Sequence, residues 1–188
     1  MDCDLDAVPV RLLDVAKAGI PIAPVLTSPW IAAEHAAGRG LVGAGRERLR
    51  GQLRASYKMV RNARERGISV LSGTDTGNAS AFHHGKWHGK EAELFVREVG
   101  MTPMEAILAN TRHNAGLLGL QDEVGVIAAG KLADIVVWNS NPLADITVLQ
   151  RPDEISAVIK DGRLVDRGAG GFRQLLEEPS RARMLAQG

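Results

Sequence analysis

The fold turns on one nonapeptide, Gly67-Ile68-Ser69-Val70-Leu71-Ser72-Gly73-Thr74-Asp75. A helix-stopping glycine is followed by a short, continuously apolar run, and the run delivers an aspartate at its end. A strand that is apolar on both faces belongs in a buried parallel sheet. A carboxylate at the C-terminal end of such a strand stands at the mouth where α/β folds place their active sites. The plain alternative is an aspartate that caps the turn after the strand. The nonapeptide alone leaves both open.

Its surroundings alternate in the same way. Leu5, Val8, Leu12, Val15 and Ala16 recur at helical spacing, with Gly19 as the stop, which predicts a helix over about residues 5–18. The run Ile20 to Leu26 reads as a second apolar strand. Residues 27–44 read as a loop, around Ser28-Pro29, Gly38, Gly40 and Gly43. From Arg46 to Arg66 the pattern is helical, with Leu49, Leu53, Tyr57 and Val60 in one stripe and Arg50, Arg54, Lys58 and Arg61 in another. Beyond the nonapeptide, residues 89–99 read as a helix closed by Gly100. Thr102-Pro103-Met104-Glu105 is a helix start with a capping box, and that helix is expected to run to Leu118.

Past Gly119 the pattern changes to strands: Val124 to Ile127, Leu132 to Trp138, and Ala157 to Val165 folded at Asp161-Gly162. The expected organisation is a partial α/β barrel over 1–119, part of a small β domain over 120–166, and a polar, helical tail over 167–188. Two parallel strands cannot make a stable sheet, so the chain is expected to be a portion of a larger fold or to complete itself with another chain.

Composition narrows the function classes. The chain has 188 residues, 45% hydrophobic and 24% charged, which suits a globular core and excludes disorder. A net charge of +1 argues against nucleic acid or an anionic membrane as the main partner. The single cysteine, Cys3, excludes a disulfide scaffold and reads as an ordinary thiol. The acidic start Met1-Asp2-Cys3-Asp4 is no signal peptide, and no apolar run reaches membrane-spanning length, so the expected compartment is the cytoplasm.

Other features compete for chemistry. His84 and His88 are four apart, a zinc-compatible spacing on a helix, but Gly85 and Gly89 favour a loop, as for the neighbouring His83. Gly38-Arg39-Gly40-Leu41-Val42-Gly43 spells a dinucleotide fingerprint, yet no strand leads directly into it. Between residues 46 and 66 there are eight Arg or Lys against two Glu; without interleaved aromatics this reads as a solvated helix face rather than a nucleic-acid site.

With these residues in place, residues 68–165 resemble the metal-dependent amidohydrolases, in their imidazolonepropionase-like and prolidase-like branch. The resemblance is carried by Gly73-Thr74-Asp75, by His88-Gly89-Lys90-Glu91-Ala92-Glu93-Leu94 and by Gly100-Met101-Thr102-Pro103-Met104-Glu105-Ala106-Ile107. It continues through Ala109-Asn110-Thr111, Leu117-Leu118-Gly119-Leu120, Gly125-Val126-Ile127, the characteristic Gly130-Lys131-Leu132-Ala133-Asp134-Ile135-Val136-Val137, Asn141-Pro142-Leu143 and Val158-Ile159-Lys160-Asp161-Gly162.

The resemblance implies the C-terminal part of a (β/α)8 barrel, with Ile20 to Leu26 and Ile68 to Asp75 as its seventh and eighth strands, plus part of a β-sandwich. It implies that Asp75 is a metal ligand and the proton carrier of the attacking water, and that His88 contacts substrate. It also implies one or two divalent metals, with zinc expected, and a small-molecule substrate hydrolysed at a non-peptide or dipeptide-like C–N bond. The chain departs from the pattern by offering no His-x-His pair and no histidines from the middle strands; His35 and His113 do not fit those places. The chain alone is therefore expected to lack most metal ligands and to be inactive. The alternative reading is a non-catalytic module that associates with itself or with a complementing chain.

Overall fold

The structure, a computed structural model, describes residues 14–34, 43–75 and 87–165. Its first described turn is helical over 14–17, and Gly19 stops it at φ +65°. The rest of the expected helix over 5–18 lies outside the described residues, as do Cys3, His35, His83, His84, most of the run Gly38 to Gly43, and the tail beyond residue 165.

Ile20 to Leu26 and Ile68 to Asp75 run side by side in parallel, as expected, but they share one bridge rather than a ladder. Ile22 pairs with Val70; the Ile22 N–H donates to the Ser69 carbonyl at 2.9 Å, and the Leu71 N–H donates to the Ile22 carbonyl at 2.8 Å. Neither segment therefore counts as a regular strand. Two parallel segments with no third strand paired beside them among the described residues gain too little pairing to hold a longer ladder.

Residues 27–44, expected as a loop, are not all loop: α1 spans Thr27–Glu34. Ser28 and Pro29 sit in its first turn, where a missing N–H is tolerated. Helix α2 spans Ala44–Glu65 and buries Leu53, Tyr57, Val60 and Ala63, close to the apolar stripe of the sequence. Its basic face is only partly a solvated one. Arg46 and Arg50 reach Glu34 of α1, Arg64 donates to the Gly100 carbonyl at 3.1 Å and to Glu105 at 2.8 Å, and Arg61 donates to the Glu98 carbonyl.

Helix α3, His88–Leu94, continues through a π turn, Phe95–Val99, and ends at Gly100 in the left-handed region. Helix α4, Pro103–Leu108, starts with the expected capping box: Glu105 N–H donates to the Thr102 hydroxyl at 3.2 Å, and Thr102 N–H donates to the Glu105 carboxylate at 2.6 Å. A π turn, Ala109–His113, and the short α5, Asn114–Leu117, carry it on. Leu26, Leu53, Val60, Val70, Phe95 and Ala106 from all these segments close one apolar core.

The last part is a three-stranded antiparallel sheet in the order β1-β2-β3, where β1 is Ile135–Trp138, β2 Ile155–Lys160 and β3 Arg163–Leu164. Asp161 and Gly162 turn the β2–β3 hairpin at φ +51° and +78°, the double left-handed pair that a tight two-residue turn demands. Asp134 pins that turn by accepting the Asp161 N–H at 2.9 Å and the Lys160 ammonium at 2.9 Å. The expected strand Val124 to Ile127 is not formed. Gly125 sits at φ +96°, and a Cβ there would lie 2.8 Å from the Ala115 Cβ, so the segment is spent on close packing against α5 instead of pairing.

Candidate functional site

The aspartate ending the decisive run and the histidine opening α3 are brought to the same end of the parallel pair. Thr74 is nearly buried, and its hydroxyl shares a hydrogen bond of 3.2 Å with His88 Nδ1, the tautomer setting which of the two donates. Asp75 follows at φ +50°, exposed, at the point where the segment leaves the core. A non-glycine residue held in that region is uncommon and clusters at functional sites. A second strained residue lies near the end of the neighbouring segment. Val25, β-branched and at φ +52°, lies against Gly73, where a Cβ would stand 3.6 Å from Val25 Cγ2.

Two polar side chains that sequence reasoning passed over hold these segment ends. The Glu91 carboxylate, wholly buried, accepts the Leu26 N–H at 2.8 Å, the Thr27 N–H at 2.7 Å and the Thr27 hydroxyl at 2.6 Å. It thus caps α1 from 64 residues away in the chain and fixes the backbone just after Val25. Burial pushes the Glu91 pKa up; the hydrogen bonds from Thr27 and Leu26 oppose that rise without cancelling it. A signal was present in the sequence: Glu91 stands three and four residues before Leu94 and Phe95, on the stripe that packs inward. Asn114 is the second. Its carboxamide oxygen accepts the Ser72 N–H at 3.2 Å, and its nitrogen donates to the Ser72 carbonyl at 2.9 Å.

Beside His88 the start of α3 is packed tightly. The rings of Trp30 and Trp87 lie 5.9 Å apart, and the Lys90 ammonium sits 4.3 Å over Trp30. Burial works against ionisation of Glu93, but hydrogen bonds from Lys90 and Gln150 and the charges of Lys90 and Arg97 outweigh it and hold its carboxyl low. Gly89 allows the backbone of 146–150 to come close: a Cβ there would lie 2.3 Å from the Leu149 carbonyl oxygen.

The arrangement offers a carboxylate and an imidazole at one open end, suited to moving a proton and binding a polar substrate group. It does not make a metal centre. Among the described residues no group of three or more His, Cys, Asp or Glu side chains is placed to hold a metal ion, and a catalytic zinc takes three protein ligands. His113 is exposed, on the π turn after α4. Among the described residues no helix is long and apolar enough to cross a membrane.

Comparison with known proteins shows what the chain is similar to. The model of the Amidohydrolase family matches residues 10–165. An ochratoxinase of Aspergillus niger is 33% identical over 130 residues, which is 68% of this chain and 25% of that protein. An imidazolonepropionase of Shewanella woodyi is 40% identical over 65 residues, 35% of this chain and 16% of the relative. The crystal structure of a Xaa-Pro dipeptidase with methionine bound in its active site superposes at a TM-score of 0.67 and 30% identity, covering 87% of this chain and 37% of that one. The chain thus spans about a quarter of the ochratoxinase and little more than a third of the dipeptidase.

Proposed function

The chain belongs to the amidohydrolase family, and from that premise we propose that it carries the end-of-strand aspartate of a C–N bond hydrolase, with Asp75 as the proton-transfer group and His88 on the substrate side. The observation that carries the proposal is the 3.2 Å contact between Thr74 and His88, which draws the imidazole to the residue adjoining Asp75.

In this reading Asp75 accepts a proton as a water oxygen bonds to the carbonyl carbon of the scissile group. The C–N bond then breaks with its electron pair on nitrogen, and the proton passes from Asp75 to that nitrogen. The products are a carboxylic acid and an amine. His88 orients a polar group of the substrate. The substrate class is a small molecule with a non-peptide or dipeptide-like C–N bond. The described residues do not fit a divalent metal by themselves, so no step here runs through one. In this reading the remaining groups of the site come from outside the described residues.

The test is Asp75→Asn in the complete, active enzyme that contains this chain, assayed on small cyclic amides and dipeptides. Turnover is expected to fall by at least about 10²-fold with the fold intact by circular dichroism. Near-normal turnover of the variant removes Asp75 from the reaction.

A second reading, a module that associates without catalysis, is favoured by one observation. Ile127, Leu164, Leu118 and Leu117 are 84%, 74%, 68% and 59% exposed, much apolar surface for a small chain. In this reading those residues seat a second copy or a complementing chain. Size exclusion across a hundredfold concentration range checks it; a monomer throughout counts against it.

A further inference from the structure

In a strand, successive residues offer their N–H and C=O groups to opposite edges. On the nonapeptide, Ser69 and Leu71 spend theirs on Ile22, so Ser72 faces the other edge. There its N–H has a long contact of 3.4 Å to the Ala109 carbonyl and a shorter one to a side chain. Asn114 receives the Ser72 N–H at 3.2 Å and donates to the Ser72 carbonyl at 2.9 Å, the same acceptor-and-donor pair that a residue of an adjacent strand presents. A carboxamide has the shape and polarity of a peptide group, and asparagine alone carries it at this reach: aspartate lacks the donor and glutamine is one methylene longer.

We infer that Asn114 is a positioning residue, a one-residue surrogate strand that holds Ser72 and through it fixes Thr74 against His88 and Asp75 at the open end. The two hydrogen bonds form a two-point grip, so they restrain the rotation of the Ser72 backbone as well as its position. Three residues further, Asp75 sits at φ +50°, a conformation that persists only where its neighbours over-determine it. The Thr74–His88 contact restrains that turn from the far side, and the Asn114 grip restrains it from the near side. Asparagine is a poor residue for a helix interior, and at this place its side chain serves the strand and not its own helix. The positioning itself is independent of what Asp75 does; its bearing on turnover rests on the proposed role of Asp75.

Isotope-labelled wild-type chain, Asn114→Ala and Asn114→Asp provide the test, read by nuclear magnetic resonance. Wild type should show a slowly exchanging Ser72 amide. In both variants that amide should exchange at least about tenfold faster than the change in global stability accounts for, and the Asp75 carboxyl and His88 ring resonances should shift. In the complete enzyme, Asn114→Ala should lower kcat by up to about 10²-fold with KM within about twofold. A melting temperature that falls while the Asp75 and His88 resonances stay in place reduces Asn114 to a structural role and overturns the inference. So does a Ser72 amide that exchanges freely in wild type, which needs no variant to fold. If Asp75→Asn leaves turnover intact while the Asn114 variants still move these resonances, the positioning stands and the catalytic reading of Asp75 falls.

Discussion

Replacing Glu91 separates two ways in which a buried carboxyl can hold a helix. In Glu91→Ala, the Leu26 N–H, the Thr27 N–H and the Thr27 hydroxyl all lose their acceptor inside a dry site. Each buried donor so abandoned costs roughly 1–3 kcal/mol, but the three are neighbours and do not add, and removing the acid releases its own burial penalty. A net loss of about 3–4 kcal/mol follows, which for a chain of this size lowers the melting temperature by about 6–16 °C. Glu91→Gln behaves differently. Burial raises the Glu91 pKa above its ordinary 4.5, so the folded state accommodates the protonated acid better than the carboxylate. Glutamine keeps the size of that acid and one accepting oxygen, but its NH2 must face either the Leu26 N–H or the Thr27 donors; it abandons fewer donors than alanine, leaves no cavity, and costs about 1–2 kcal/mol. The sign of the pH effect follows. The folded chain binds the proton more tightly than the unfolded chain, so the contribution of Glu91 is full below 4.5 and is lost as pH rises through the raised folded value. In urea melts from pH 4 to 8, the wild-type minus Gln difference must therefore fall as pH rises. A Gln variant as damaged as the Ala variant, or a difference that grows with pH, refutes the reasoning.

Two further outcomes can be checked on the same chain. Thr102→Ala removes the hydroxyl that accepts the Glu105 N–H, and should cost about 1 kcal/mol, read as a drop of about 2–4 °C in thermal circular dichroism. The Thr102 N–H is the main group holding the Glu105 carboxyl low, so this end of α4 is steadied above the ordinary carboxylate range and loosens as pH falls below it, through the lowered folded value; Glu105→Gln should abolish that loosening. Gly89→Ala drives a methyl to within 2.3 Å of the Leu149 carbonyl oxygen and 2.6 Å of its carbon, both backbone atoms. It should cost about 2–3 kcal/mol in denaturant melts and displace the His88 ring resonances as the start of α3 is pushed aside.

The parts of the fold legible in the sequence are those with local causes. The capping box at Thr102 and Glu105 lies within one turn, and the Asp161-Gly162 hairpin lies within two residues; both form as read. The stripe on α2 is periodic and buries as read. What escaped the reading has distant causes. Helix α1 is capped by a carboxylate 64 residues away, so residues 27–34 looked like loop. The segment 124–127 carries strand-like residues, but Gly125 commits it to the underside of α5. The left-handed Val25 has no local signature at all. At the site, family resemblance singled out Asp75 and His88, and the structure sets Thr74 between them; their roles remain the proposal above. Glu91 and Asn114 were missed because polarity on an inward face shows its purpose only once the partner backbone is in place.

The near-contact of Gly89 with Leu149 bears on how this chain tolerates recombination. The segment leading into β2 forms the floor beneath the helix that opens with His88, so residues beyond 119 are not a detachable appendix. A crossover between relatives placed anywhere from 120 to 145 would graft a foreign floor under a native helix. Chimaeras that exchange 87–165 as one block keep both surfaces from a single parent.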